Sequence, residues 1–464
     1  MTGIDDLPDK ILVKIFLYFP NGDMAHTIRK VCTRWRKVSE KYKIWKYCSL
    51  WAYAGMTENS IVLKLKAMPA LDVLMYFGRY NVLKSVSEHC RRIALLCVPN
   101  IHITADVLQL VMDRLPMLSH LIISVNPTPE GLQITRIIGK SGNFQSLELR
   151  SFGQEGIMDG LLMPIAEGCP NLKYLKCANF NCRDSELCYL MHRKSCQLIT
   201  YLPTGVVSAS TIQALNQCPN VKRVVFTRTS FKEPFPEIPH ITRLPKLRIL
   251  EVLKCNYPML HLIPLTLFRN TLSHLIYIRI CEIFGNVDFL ISKILLKCPL
   301  LKRLDLEKNH ELTCEALRNI SSCKLLTRLS VSHCQNVDKK AIQYVAEGCP
   351  QLQHLDVSGI PMSDELFRQI LRCRTLTLLM MTFTDVSVID LDLISTNIPG
   401  LKELLIGPKY KFGHDCTRDI KQHMPHLNIW APQFASDIQD YYTQKYEYVN
   451  LHTGYKDDPS DLMK

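Results

Sequence analysis

The sequence holds nineteen cysteines and fifteen histidines, the residue types suited to metal binding and nucleophilic chemistry. Four of them, Cys182, Cys188, His192 and Cys196, could supply thiolate and imidazole ligands to zinc. Their spacing does not match the usual paired-ligand zinc patterns. Catalytic signatures are missing elsewhere. There is no P-loop, no G-x-G-x-x-G, no G-x-S-x-G and no H-E-x-x-H. The remaining chemical candidate is a cysteine nucleophile, and it competes with a structural role for most of the cysteines.

Composition narrows the classes. The chain has 464 residues, 47% of them hydrophobic, which is too long for one compact core and rich enough to bury a large interior. The first nine residues lack the apolar stretch of a secretory signal, and no apolar run is long enough to span a bilayer. The C-terminal Asp461-Leu462-Met463-Lys464 carries no prenylation cysteine. The expectation is a reduced cytoplasmic or nuclear protein whose cysteines are thiols. The net charge of +13 suits acidic or phosphorylated partners; the lack of a long Lys/Arg run and of a nucleic-acid motif argues against a nucleic-acid role.

The elements that must position any site are repeats. A unit L-x-x-L-x-L recurs, clearest at Leu172-Leu175-Cys177, Leu301-Leu304-Leu306, Leu326-Leu329-Val331, Leu352-Leu355-Val357 and Leu401-Leu404-Ile406. Weaker copies start at Leu71, Ile93, Leu118, Phe144, Leu198, Val221, Leu247, Leu272, Leu376 and Leu427. The mean period is about 25 residues, inside the 20–29 of leucine-rich repeats. Apolar positions 1, 4 and 6 point one short strand into an interior. A second stretch, such as Ala341-Ile342-Val345-Ala346, has helical spacing and covers the outside. One such unit cannot bury its apolar face alone, so the units must stack.

Cys90, Cys169, Cys218, Cys298, Cys323, Cys349 and Cys373 each sit three residues before a repeat start; Cys255 and Cys334 lie eight after one. This resembles the cysteine-containing subclass of leucine-rich repeats. Buried thiols act there as small apolar groups, and Cys196 falls one residue out of step with the same position. The resemblance implies an α/β fold: a curved solenoid with parallel strands on the concave face and helices outside. Strand side chains alternate, which puts Tyr174, Lys176, Arg223, Val225, Glu251, Arg303, Asp305, Glu307, Arg328, Ser330, His354 and Asp356 on that face. Arg223, Arg303 and Arg328 could fork onto a phosphorylated peptide, or Arg303 could pair with neighbouring acids as a charge lattice.

The first fifty residues differ. Leu7-Pro8-Asp9-Lys10 opens a helix, with Pro at a position whose N–H has no intrahelical partner. Leu7, Ile11, Leu12, Ile15, Phe16 and Phe19 form an apolar stripe, Asn21-Gly22 breaks the chain, and Ile28, Val31, Cys32, Trp35 and Val38 form a second stripe. So short a segment has a thin core and an apolar face to spare.

Leu7-Pro8, Ile11-Leu12 and Ile15-Phe16, then Val31-Cys32-Thr33-Arg34-Trp35-Arg36 and Trp45, resemble an F-box. Lys10 departs from the pattern, which often carries Glu there. The combination resembles the F-box/leucine-rich-repeat family, the substrate receptors of SCF-type ubiquitin ligases. It implies a non-catalytic protein without cofactor or metal. Leu7, Pro8, Ile11, Leu12, Ile15, Phe16, Val31, Cys32 and Trp35 would dock on the Skp adaptor, or partly fill the domain's own core. The adaptor leads to a cullin scaffold and a RING subunit, while the concave face holds a protein target. A rival reading is a scaffold or inhibitor that binds the adaptor and a partner without ubiquitination. Four segments follow: an F-box at 1–50, a linker with an atypical capping repeat at 51–92, the solenoid at 93–435 and a tail at 436–464. From Asp437 onward the tail is net −3 and carries Tyr441, Tyr442, Tyr446, Tyr448 and Tyr455. It either frays or covers the basic face.

Overall fold

A computed structural model describes residues 4–19, 27–41, 49–52, 57–78, 82–151, 158–178, 183–195, 200–202, 204–207, 209–231, 244–255, 272–384, 391–406 and 424–430. Trp45, Cys182, Cys196 and the tail at 436–464 lie outside these residues. The chain divides into two compact units, Met1–Gln197 and Leu198–Lys464.

Unit 1 begins with helix α1 (Asp9–Phe16) and helix α2 (Thr33–Ser39). Six parallel strands follow: β1 (Ser49–Ala52), β2 (Val73–Tyr76), β3 (Leu95–Val98), β4 (His120–Ser124), β5 (Ser146–Arg150) and β6 (Tyr174–Ala178), each paired with the next. The sheet thus starts one strand before Leu71, at Ser49.

Unit 2 holds β7 (Thr200–Leu202), β8 (Thr204–Val207), β9 (Arg223–Phe231), β10 (Ile249–Leu253), β11 (Tyr277–Cys281), β12 (Arg303–Asp305), β13 (Arg328–Ser330), β14 (His354–Asp356), β15 (Leu378–Met381), β16 (Glu403–Ile406) and β17 (Asn428–Trp430). From β9 onward each strand pairs in parallel with the next, and both β7 and β8 pair with β9. A right-handed crossover through a helix is the standard way to join parallel neighbours.

Most strands begin two residues after the repeat start. Two starts need correction. Register places Ile278 beside Leu250 and Leu304, so the repeat of β11 begins at Leu275, not Leu272. Likewise Ile429 stands beside Leu404, which puts Leu427 one residue late.

The interior follows the pattern. Leu304, Leu329, Leu355, Leu379 and Leu404 are buried in one row, with Leu306, Val331, Val357, Met381 and Ile406 in the next. The outer helix Lys339–Gly348 buries Ala341, Ile342 and Val345 beneath them, while Ala346 is half-buried. Asp338 caps that helix by accepting from the Ala341 N–H at 3.0 Å, and Ser363 caps the next one from the Leu366 N–H at 3.2 Å.

The repeat cysteines fill the ends of the helices. Cys90, Cys169, Cys218, Cys298 and Cys323 are completely buried. Cys90 Sγ donates to the Leu65 carbonyl at 3.4 Å, Cys323 to Cys298 at 3.4 Å, and Cys334 to Leu306 at 2.9 Å. Burial pushes the Cys90, Cys323, Cys334 and Cys373 thiols up to about 12. Such thiols are poor nucleophiles.

Five residues past the start of each strand from β10 to β15 the backbone turns left-handed, at Lys254, Glu282, Lys308, His333, Gly359 and Phe383. Gly359 has a second reason to be glycine. A Cβ there would come within 2.2 Å of the His333 ring.

Candidate functional site

Two surfaces carry the candidate residues. The first is the N-terminal helical segment. The apolar stripes of α1 and α2 face each other, with Leu12, Phe16, Ile28 and Val38 buried and the rings of Phe16 and Trp35 5.1 Å apart. Cys32 accepts from the Trp35 N–H at 3.3 Å and so caps α2. Asp9 ties the helices together: its carboxylate meets the Arg34 guanidinium at 3.1 Å and the Lys41 ammonium at 2.6 Å. Hydrogen bonds from Lys41 and then Arg34 hold its carboxyl below the usual range.

The nine predicted adaptor residues therefore divide. Leu12 and Phe16 are core, and Trp35, half-buried, leans on Phe16. Leu7 and Ile15 are half-buried; Pro8, Ile11, Val31 and Cys32 are exposed. Sequence reasoning missed Val13 among the buried residues, and it missed Leu17 and Tyr18, which stand exposed just past the end of α1. Tyr18 is 90% exposed, Val31 56% and Ile11 39%. These large apolar side chains are left out of the small core.

The F-box domain family matches residues 4–47. Residues 4–47 are an F-box. The F-box accounts for the two separated submotifs and for the pairing of α1 with α2. No curated protein matches the sequence. Among solved structures, a chain of the yeast Rad7 and Elc1 complex is 14% identical, with a TM-score of 0.46 over 93% of this chain and 94% of that one. An internalin of Listeria monocytogenes is 15% identical, with a TM-score of 0.37 over 93% and 100%. Neither likeness carries a functional argument. The repeats after the F-box stand on their own register and burial as an α/β leucine-rich-repeat fold.

The second surface is the face of each sheet opposite the leucine rows. In unit 2 it is a ladder. Arg223, Ile249, Tyr277, Arg303, Arg328 and His354 stand side by side in register, and beside them run Val225, Glu251, Arg279, Asp305, Ser330 and Asp356. Arg223 donates to Glu251 at 2.8 and 2.6 Å. Asp305 accepts from Arg303 at 2.7 and 3.0 Å and from the Tyr277 hydroxyl at 2.8 Å, and the Arg303 guanidinium lies 4.6 Å from the Tyr277 ring centre. Arg279 reaches Glu307 at 3.2 Å, and Ser330 reaches Asp356 at 3.3 Å.

The arginines of this face form the charge lattice. Arg223 and Arg303 spend their forks on neighbouring carboxylates, and Arg328 and His354 are engaged as well. Glu251, Asp305, Arg223, Val225 and Tyr174 are buried rather than free. Burial raises the Asp305 carboxyl, but Arg303 beside it outweighs that and leaves it below the usual range. Asp356 has no cation on its carboxylate among the described residues, and burial pushes it up to about 6. In unit 1 the equivalent face is apolar at Met75, Cys97 and Ile122 and then charged, with Glu148 accepting from Arg150 at 2.7 Å and from Lys176 at 3.0 Å.

The four candidate zinc ligands are not brought together by anything described. Cys188 is half-buried and His192 exposed on the helix Asp184–Lys194, and among the described residues no group of three metal ligands occurs.

Proposed function

We propose that the chain is the substrate receptor of an SCF-type ubiquitin ligase. The observation that carries this is the apolar surface of the F-box: Ile11, Val31 and Tyr18 stay in solvent although Leu12 and Phe16 supply a core beside them. F-box domains typically bind Skp-type adaptors. Pro8, Ile11, Ile15, Val31 and Cys32, with Leu7, make the contact; Leu12, Phe16 and Trp35 hold the helices that present it. The cullin scaffold and RING subunit join through the adaptor.

The sheet faces hold the target. In unit 2 Arg303, Arg328 and Asp356 meet it, with the buried Arg223, Glu251 and Asp305 fixing the lattice beneath; in unit 1 Lys176 meets it, beside the buried Tyr174. The paired charges of unit 2 suit a target read by shape and by complementary polar groups on a fixed lattice, since each arginine is already oriented. No residue of this chain performs chemistry. It contributes position, holding a target lysine near the ubiquitin carrier and so raising effective concentration.

Co-expression with the Skp adaptor tests the reading. Wild type should co-purify with the adaptor and then with a cullin, and Ile11→Asp with Val31→Asp should abolish both while leaving the circular dichroism unchanged. A well-folded wild type that ignores the adaptor refutes the proposal. Binding of the adaptor without a cullin selects the scaffold reading instead.

A further inference from the structure

The two edges of the unit 2 sheet differ in charge. Eight connections lead from the helix side into a strand, at 217–222, 244–248, 272–276, 297–302, 321–327, 348–353, 371–377 and 398–402. They contain nine bases (Lys222, Lys246, Arg248, Lys297, Lys302, Lys324, Arg372, Arg374, Lys402) and no Asp or Glu. On the opposite edge, the connections leaving the strands at 254–255, 282–287, 306–313, 331–338, 357–363 and 382–384 hold two lysines and four acids. There both lysines are paired, Glu282 lying 3.1 Å from Lys254 and 3.4 Å from Lys308.

The basic edge is not neutralised in this way. Arg372 meets Glu347 at 3.2 Å, Lys246 donates to Asn220 at 2.6 Å, and Lys324 donates to the Gly348 carbonyl at 3.3 Å. Lys297, Lys302, Arg374 and Lys402 are exposed and have no ion pair among the described residues. Bases after a helix C-terminus complement the helix dipole, which accounts for Lys297 and Arg372. It does not account for Lys222, Arg248, Lys302 and Lys402, each of which stands one residue before a strand. Parallel strands hold these positions in register, neighbouring strands being about 4.8 Å apart, so the charges lie along one ridge, broken at Ile276, Thr327, Gln353 and Thr377.

The chemistry of the ridge identifies its partner. None of the eight connections contains Phe, Tyr or Trp. Single-stranded nucleic acid is held by aromatic stacking as well as by charge, so the ridge lacks half of that site. It does have exposed aliphatic side chains, Leu296 and Leu300, flanking Lys297, at 48% and 42% exposure. We propose that this edge of unit 2 docks an acidic protein segment that carries an apolar residue, seated on Leu296 and Leu300 with its carboxylates against Lys297, Lys302, Arg374 and Lys402. This surface is separate from the sheet face proposed to hold the target, and it stands whether or not the chain is a ligase receptor.

The test uses the full-length chain and a fluorescent peptide of glutamates interrupted by leucine. Fluorescence anisotropy should show binding that weakens steeply as salt is raised, because the contacts are exposed and screened over about 10 Å. The triple reversal Lys302→Glu, Arg374→Glu and Lys402→Glu should weaken it at least about tenfold, electrostatic complementarity being lost at three points. The control reversal Lys254→Glu and Lys308→Glu on the other edge should change it less than about twofold by the same reasoning. A Leu300→Ser variant should weaken it without changing its salt dependence. Since all these residues are exposed, circular dichroism should report one fold throughout. The proposal is overturned if the peptide does not bind, if both reversals weaken it equally, or if a DNA duplex or vesicles of anionic lipid bind more tightly than the peptide.

Discussion

The buried cluster on β11 and β12 offers the sharpest test of how the sheet face is held. Asp305 is 3% exposed and accepts three hydrogen bonds, two from Arg303 and one from Tyr277. Asp305→Ala leaves a guanidinium and a hydroxyl without their acceptor. Breaking a buried ion pair from one side costs about 3–5 kcal/mol and an orphaned hydroxyl about 1–3 kcal/mol. The Arg303 side chain retains 24% exposure and can turn to water, so we expect about 3 kcal/mol in total. Asp305→Asn keeps an acceptor for Tyr277 and should cost roughly half of that. Replacing both partners, as Arg303→Met with Asp305→Leu, should return to within about 1 kcal/mol of wild type, because no buried charge is then stranded. Repeat arrays can open in parts, so urea unfolding by circular dichroism should be paired with amide exchange over β11 to β13. The sign with pH is fixed as well. The folded Asp305 carboxyl is held low, so its stabilisation is present above the unfolded value near 3.8 and fades as pH falls through the folded one. A double variant as unstable as Asp305→Ala would refute the pairing argument.

Asp356 has the opposite sign. Its folded carboxyl is raised from 3.8 to about 6, so wild type loses stability as pH climbs through that window, and Asp356→Asn should be the more stable by about 1–2 kcal/mol at pH 7 in a melting series from pH 4 to 7. Asn can still accept from the Ser358 N–H. Phe16→Ala should destabilise the F-box by about 3 kcal/mol through the cavity it leaves and lower adaptor binding only as far as it unfolds the domain. Val31→Asp should abolish adaptor binding with little change in melting; the two variants together separate core from contact. Gly359→Ala combines a left-handed backbone with a collision on His333 and should cost about 1–3 kcal/mol by chemical denaturation.

Much of this was legible in the residues. The strand positions followed from the leucine spacing because a buried row tolerates little else, and the cysteines followed from their constant offset. The F-box was legible in its two submotifs, but its division into core and contact was not: Ile11 and Leu12 are equally apolar, and only the rotation of α1 separates them. The Leu272 start failed because Leu272 and Leu275 offer equivalent patterns three residues apart, and strand pairing alone chooses. The charge ladder was half-legible. Alternation placed Arg223 and Glu251 on one face, but that they bond depends on lateral register across 28 residues. The left-handed turns were invisible, since Lys254, Glu282, Lys308, His333 and Phe383 are not residues that announce such a backbone.

The thiols of the repeats have a use beyond packing. In the folded state a titrating reagent should find Cys90, Cys298, Cys323, Cys334 and Cys373 silent, since thiolate is scarce at neutral pH when burial lifts the pKa so far. Each becomes reactive only when its own repeat opens. With other cysteines replaced, a single remaining thiol is a stopwatch for one turn of the array. A set of such chains would time the opening of each repeat in order along the molecule, without any label foreign to the sequence.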